Sequence, residues 1–397
     1  MGYPTAAIPR RCDRQESPMS LPILRPVSRR NLLRGSPLLL AGTAGLLSTP
    51  GLLLAQEPAR RGAAGVRLAA NENAYGPCEG ARRAIAESID DIWQYAFGQE
   101  MRLKQMIAER EGLTPAQVLI TAGSAEAIQL AGLVYGLSRG EMITADPTFS
   151  LTTDFGKLAG STVRSVPLDD TLTHDLDAMA AQVTANTSLM YLCNPNNPTG
   201  TLVPGDQLRP FVSEMAKNMT VLVDEAYLDL SEEMARHTAL PHVVAGENVI
   251  VTRTFSKLHG LAGLRIGYAL ARPEVVEKLE AHRMGVLNLA GLRAAVASLE
   301  DEDYQRLSRQ RVREALAVTT QWLDDLGFRY ADTWGNFVFF DTRAPAGEFS
   351  AAMREAGFQL GRPYGPYPDW CRISMGTVEQ MQAFAAAARG YFAGRMG

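Results

Sequence analysis

The sequence predicts an α/β chain with a large, doubly wound, mostly parallel sheet and a second, smaller α+β domain. Three observations lead there. Short apolar, β-branched runs alternate with helical stretches between residues 118 and 285. That is the pattern of strands covered on both faces by crossover helices. The runs stop on small or polar residues, and in such sheets ligands bind outside the strand carboxyl ends. From about residue 284 the pattern shifts to one long amphipathic stretch, then short strands and helices. On this reading residues 1–55 stand apart and 56–65 form a Gly/Pro/Arg-rich linker. Residues 92–285 form the large domain, and 66–91 with 286–397 the small one.

Residues 1–55 hold Ser28-Arg29-Arg30-Asn31-Leu32-Leu33, a moderately apolar run over 37–47, and small residues near Ala55. A paired arginine, then an apolar run, then small residues is the layout of a twin-arginine export signal. It implies the export machinery as a partner and a periplasmic location, or a cytoplasmic one where the signal is not used. Residues 1–18 precede this signal awkwardly, so Met19 is expected as the true start. Leu53 stands where a small residue is wanted for cleavage, which leaves an uncleaved segment open. Pro50, Gly42 and Gly45 make a poor spanning helix, so no stable membrane anchor is expected. Residues 1–55 carry seven of the chain's 39 basic and two of its 43 acidic residues. The rest therefore holds 32 and 41, a net charge of −9. A mixed, acidic surface argues against nucleic acid or anionic lipid as partner. Cys78, Cys193 and Cys371 show no metal or disulfide spacing, so no metal site is implied.

Taken in order, Asn71-Glu72-Asn73-Ala74-Tyr75-Gly76-Pro77 is turn-rich, and a helix is expected from there to about residue 89. Trp93, Tyr95 and Phe97 form an aromatic cluster, for which core packing is the plain reading. A strand over 118–121 breaks at Gly123-Ser124-Ala125 into a helix reaching about residue 137. That geometry presents free N–H groups and a positive dipole to an anion, although it also suits any tight strand-to-helix turn. A strand over 141–145 ends at Asp146-Pro147-Thr148-Phe149, and one over 188–193 at Asn194-Pro195-Asn196-Asn197-Pro198-Thr199-Gly200. A strand over 220–223 closes on Asp224-Glu225-Ala226-Tyr227. Asp224 is either a helix cap or a buried carboxylate that needs a partner.

The strand beginning at Val249 runs into Thr254-Phe255-Ser256-Lys257, with Arg265 eight residues after the lysine. A lysine just past a buried strand is poorly placed as a surface charge. It is well placed to form a Schiff base, since burial and a cationic neighbour favour the neutral amine. The hydroxyls and Arg265 suit a phosphate. In the tail, a long helix is expected over 303–326 and strands over 328–330, 336–341 and 371–375. Helices are expected over 348–356 and 378–392. Arg372 inside an apolar strand needs an anion.

The pattern around Lys257, T-x-S-K-x-x-G-L-A-G-x-R-x-G-Y, resembles the lysine segment of class I/II aminotransferases that use pyridoxal 5′-phosphate (PLP), above all the histidinol-phosphate aminotransferases. The resemblance covers about residues 66–392 and implies a fold-type-I homodimer with shared active sites. It implies that Lys257 holds PLP as an internal aldimine, and that Asp224 sits at the pyridine nitrogen. Asn197 and Tyr227 would stand at the phenolic oxygen, with Phe149 stacked on the ring. Gly123, Ser124, Ala125, Thr254, Ser256 and Arg265 would cup the phosphate, and Tyr95 would reach it across the dimer interface. Asn73 and Tyr75 would line the substrate mouth, Arg372 would take the substrate α-carboxylate, and Arg362 would help with a distal phosphate. The implied activity moves an amino group between an L-amino acid, or an amino-acid phosphate, and a 2-oxo acid. A PLP lyase or decarboxylase uses the same cofactor residues and stays open. A non-catalytic PLP-binding protein fits less well, because Lys257 is kept and no basic DNA face is evident. An exported enzyme would hardly serve histidine synthesis, so another amino acid is expected as substrate.

Overall fold

The computed structural model describes residues 65–396. The twin-arginine segment, Met19 and the linker up to residue 64 lie outside the described residues. The strands are β1 (Val66–Leu68), β2 (Val118–Thr121), β3 (Glu141–Asp146), β4 (Thr162–Pro167), β5 (Thr187–Cys193) and β6 (Thr220–Asp224). They continue as β7 (Val249–Thr254), β8 (Gly267–Leu270), β9 (Phe337–Asp341), β10 (Phe358–Leu360) and β11 (Trp370–Ser374). Seven of them form one sheet in the order β2-β8-β7-β6-β5-β3-β4. Strand β8 runs antiparallel to both its neighbours. The other pairings are parallel.

The alternation of side chains across a strand decides what each face buries. Met190, Leu192, Val221, Val223, Val249 and Val251 join the main core. Tyr191, Cys193, Leu222 and Ile250 point the other way and pack with Ile128 and Ala131 of the helix Ser124–Gly136. Apolar residues on both faces are why these strands read as continuous runs. The register sets Cys193 beside Asp224, and Asp224 beside Thr252. The polar ends of β5, β6 and β7 therefore meet at one edge of the sheet.

A second core gathers Leu68, Trp322, Phe340, Phe349, Phe384 and Phe392. Around it lie the parallel pair β1–β10, the antiparallel ribbon β9–β11, and the helices Glu302–Asp325, Ala346–Glu355 and Val378–Met396. The helices Glu79–Glu87 and Leu289–Glu300 contribute Ala81, Leu292 and Ala295 to the main core instead. The strand expected over 328–330 is absent as such. Tyr330 makes a single bridge to Phe340. Phe328, just after Gly327 in the left-handed region, is drawn into the second core. Among the described residues no helix is long and apolar enough to cross a membrane.

Candidate active site

Asp224 ends β6 with only 3% of its surface exposed. Thr252 on the neighbouring strand donates a hydroxyl bond to it at 2.8 Å. Tyr191, one diagonal step away on β5, donates another at 3.2 Å. Burial pushes the carboxyl pKa up to about 6, and the two hydroxyl donors pull against that rise. Among the described residues no cation pairs with this carboxylate, so it is a buried acid in want of a positive partner.

Lys257 lies three residues past the end of β7. Its Nζ donates to the carbonyl of Asn71 at 2.9 Å and to that of Ala70 at 3.4 Å, and sits 5.4 Å from the Tyr227 ring centre. Burial, then the charges of Arg372 and Arg265, lower its pKa to about 8, against the opposing pull of Glu72 and Asp224. The amine is thus neutral for much of the time near pH 8 and able to attack a carbonyl.

An anion cradle closes one end of the site. Gly123, at φ 81°, turns the chain from β2 into the helix Ser124–Gly136; the Glu126 N–H bonds back to the Gly123 carbonyl at 3.1 Å, which leaves those of Ser124 and Ala125 to donate to an anion. Thr254 and Ser256 share a hydroxyl bond of 2.9 Å. Arg265 is anchored through the carbonyls of Ala262 and Ala122 at 3.0 and 3.1 Å. Two glycines make this packing feasible. A Cβ on Gly123 would lie 2.3 Å from the Arg265 guanidinium, and one on Gly267 would lie 2.2 Å from the Ser124 nitrogen.

At the other end Arg372 projects from β11. Its Nη2 donates to the carbonyl of Ala69 at 2.7 Å, and its Nη1 donates to Asn197 Oδ1. The rings of Phe337 and Tyr364 stand 5.6 and 5.7 Å from the guanidinium. Its buried Nε has no partner, and no carboxylate pairs with it among the described residues.

Between these ends is a cavity of about 320 Å³. Ser124, Ala125, Phe149, Asn197, Asp224 and Tyr227 line it, together with Thr254, Ser256, Lys257, Arg265 and Arg372. Gly123 forms the turn beneath. Four expected residues stand elsewhere. Asn73 spends its amide on the Leu258 carbonyl and Ser308 at 3.0 and 2.8 Å. Tyr75 accepts from the Val378 nitrogen at 3.2 Å, with Arg311 over its ring. Arg362 is exposed and outside the lining. Tyr95 is 76% exposed and stacks on Phe97, so the expected core packing of the aromatic cluster does not hold in this chain. The residue of the Asn-Glu-Asn segment that enters the cavity is Asn71, where Asn73 was expected; Cys193 in the lining, and Tyr191 and Thr252 on the Asp224 carboxylate, join it as site residues not expected from the sequence. Period-2 alternation from Cys193 and the strand pairing with Asp224 point to Tyr191 and Thr252. No sequence signal separates Asn71 from Asn73.

These residues fit PLP. The cradle suits its phosphate, Phe149 offers a flat face, Asp224 lacks a cation that a pyridinium would supply, and Lys257 offers an amine whose proton is lost more readily than an ordinary lysine's. When bound, PLP supplies an electron sink for bonds at a substrate Cα.

The profile of the family Aminotransferase class I and II matches residues 63–387. Over 328 residues the chain is 36% identical to the histidinol-phosphate aminotransferase of Moorella thermoacetica, covering 82% of this chain and 84% of that one. It is 35% identical over 329 residues to histidinol-phosphate aminotransferase 2 of Ralstonia nicotianae, covering 81% and 87%. The crystal structure of histidinol-phosphate aminotransferase from Sinorhizobium meliloti in complex with pyridoxal-5′-phosphate superposes with a TM-score of 0.73. The two share 28% identity, over 82% of this chain and 91% of that one. Lysine, carboxylate and phosphate cradle thus stand at the strand ends of a matching fold, and the chain belongs to the class I and II aminotransferases, as a PLP-dependent aminotransferase of fold type I.

Proposed function

We propose that the enzyme moves the amino group of an L-amino acid to a 2-oxo acid, with Arg372 holding the α-carboxylate of each. One observation carries this reading: a guanidinium enters the cavity with a buried, unpartnered Nε and no carboxylate of its own. A planar, bidentate donor of that kind matches a carboxylate. The substrate then lies between Arg372 and Lys257, and Lys257 Nζ is the group that takes the proton from the substrate Cα. Steady-state assay of Arg372→Ala with a panel of amino acids tests it. The expected result is KM for the donor raised about 10- to 100-fold, the size of one charge-assisted pairing. An unchanged KM would sink the assignment.

Histidinol phosphate is the second reading, favoured by the relatives at 35–36% identity. It has no α-carboxylate, and Arg362, the residue matched to a distal phosphate, stands at the surface. Growth of a histidinol-phosphate aminotransferase mutant on the protein without residues 1–55 would favour this second reading over ours.

Two further parts of the proposal concern the whole protein. Export by the twin-arginine route rests on the order of Arg29-Arg30, the apolar run and the small residues near Ala55. Replacing both arginines by lysine and finding the protein still in the periplasm would refute it. A homodimer rests on the exposed apolar run Ile89, Ile92, Trp93, Tyr95 and Phe97, each more than 60% exposed. Large apolar residues gathered in this way mark an interaction surface.

A further inference from the structure

Asn71 is buried, 1% exposed, and its backbone sits at φ 52° in the left-handed region that asparagine tolerates better than most residues. That turn aims its carbonyl at Lys257 Nζ, 2.9 Å away. Its amide meets two hydroxyls from distant parts of the chain, Ser374 on β11 and Tyr227 after β6. The direction of each bond follows from what each group can do. The Asn71 backbone N–H can only donate, and it donates to Ser374 Oγ at 2.8 Å. The one proton of Ser374 is then free for Asn71 Oδ1, also at 2.8 Å. With Oδ1 held by Ser374, the amide nitrogen faces Tyr227 and donates to its hydroxyl oxygen at 3.0 Å. Flipping the amide would leave the Ser374 proton without this acceptor. Ser374 and Tyr227 are 2% and 5% exposed, so water has little access to redirect the chain.

We propose that Ser374 and Asn71 form a positioning relay that makes Tyr227 accept on one side and leaves its single proton for an acceptor in the cavity. Asn71 does not itself touch the reacting atoms by this route; it acts through Tyr227. The inference rests on the reading of this cavity as the PLP site, where Tyr227 is expected beside the phenolic oxygen. A hydroxyl donor there favours the deprotonated, anionic oxygen. Losing the relay therefore raises the pH at which the bound cofactor titrates.

The test is a pH titration of the absorbance of the PLP-loaded holoenzyme without substrate, for wild type, Ser374→Ala, Ser374→Thr and Asn71→Asp. Ser374→Ala is expected to move the midpoint up by about half to one pH unit, the size of one hydrogen bond. Ser374→Thr, which keeps the hydroxyl, is expected to keep the wild-type midpoint. Asn71→Asp offers Tyr227 an acceptor in place of a donor and is expected to shift the midpoint up further. In a Tyr227→Phe background, Ser374→Ala is expected to add no shift, which an unspecific packing role would not produce. A wild-type midpoint in both Ser374→Ala and Asn71→Asp would overturn the relay alone, as would a Ser374→Ala shift that persists without the Tyr227 hydroxyl. A loaded wild type whose band does not change with pH would overturn the relay alone, and one that shows no cofactor band at all would overturn the relay and the assignment of the cavity together.

Discussion

Lys257 and Asp224 have their pKa values moved toward neutrality for the same reason, burial where the strands end, and each gives a measurable consequence. Lys257 has its pKa lowered to about 8, so the neutral amine grows as pH rises through that value. The rate at which cofactor-free protein captures PLP should rise with pH and level off above about 8. Arg372→Ala should move that inflection upward, because it removes a positive neighbour. A pH-independent rate would contradict the account. Lys257→Ala should lower amino transfer about a thousandfold or more, as expected for the loss of a catalytic base. Asp224 is an acid whose folded pKa, about 6, lies above its ordinary 3.8. The folded cofactor-free protein then binds more protons than the unfolded chain between these values. Its stability therefore falls as pH rises through that window, by about 3 kcal/mol in all. Urea unfolding of cofactor-free wild type and Asp224→Asn, compared from pH 4 to 7, should show a shallower fall in the variant, because Asp229, raised to about 7, still contributes in both and the difference between the two curves is the Asp224 share. Most of these residues were legible because each follows a strand end in a recognisable order. Asn71 was not, because its role depends on a left-handed backbone turn and on partners about 150 to 300 residues away in sequence.

At the scale of elements, β5, β6 and β7 bring Tyr191, Asp224 and Thr252 together through parallel register alone. Tyr191→Phe and Thr252→Val each remove one donor from the Asp224 carboxylate, and each should weaken PLP affinity. Because the donors favour the ionised form, each loss should also raise the carboxyl pKa of the cofactor-free protein. Strand β8 is fixed by a different constraint. Gly267 must pass so close to Ser124 that a Cβ would collide with the helix start. Gly267→Ala should cost roughly 1–3 kcal/mol of stability as the turn is pushed aside. It should loosen PLP binding with it, and equilibrium binding beside thermal unfolding would show both. The central strands were readable because both faces are apolar. Strand β4 was not, since it is an edge strand with polar residues over half its length. Strands β1 and β10, three residues each, are too short for any period to show. At 328–330 the apolar and aromatic residues suggested a strand, and burial of Phe328 among Trp322, Phe340 and Phe392 settled the local structure instead.

At the scale of the molecule, the two cores divide the chain differently from its sequence pattern. The helices Glu79–Glu87 and Leu289–Glu300 flank segments of the second core, yet their apolar faces pack on the main one. Amphipathic periodicity shows that a helix buries a face but not against which neighbour. The same limit applies to Trp93, Tyr95 and Phe97, where apolar composition suggested a core and the structure exposes them. A second copy of the chain is the partner the homodimer proposal assigns to that surface. Trp93→Asp should shift the sedimenting species from dimer to monomer, with loss of activity if the sites are shared. A wild-type monomer with full activity would contradict that part of the account. The central claim, amino transfer through Lys257 to a carboxylate-bearing acceptor, is tested most directly by the absorbance of the PLP-loaded protein. Single amino acids are added, followed by a 2-oxo acid. The account predicts that a donor converts the spectrum to the pyridoxamine phosphate form, that the oxo acid restores it, and that Lys257→Ala does neither. A spectrum that never converts while the amino acid loses CO₂ or its side chain would contradict it.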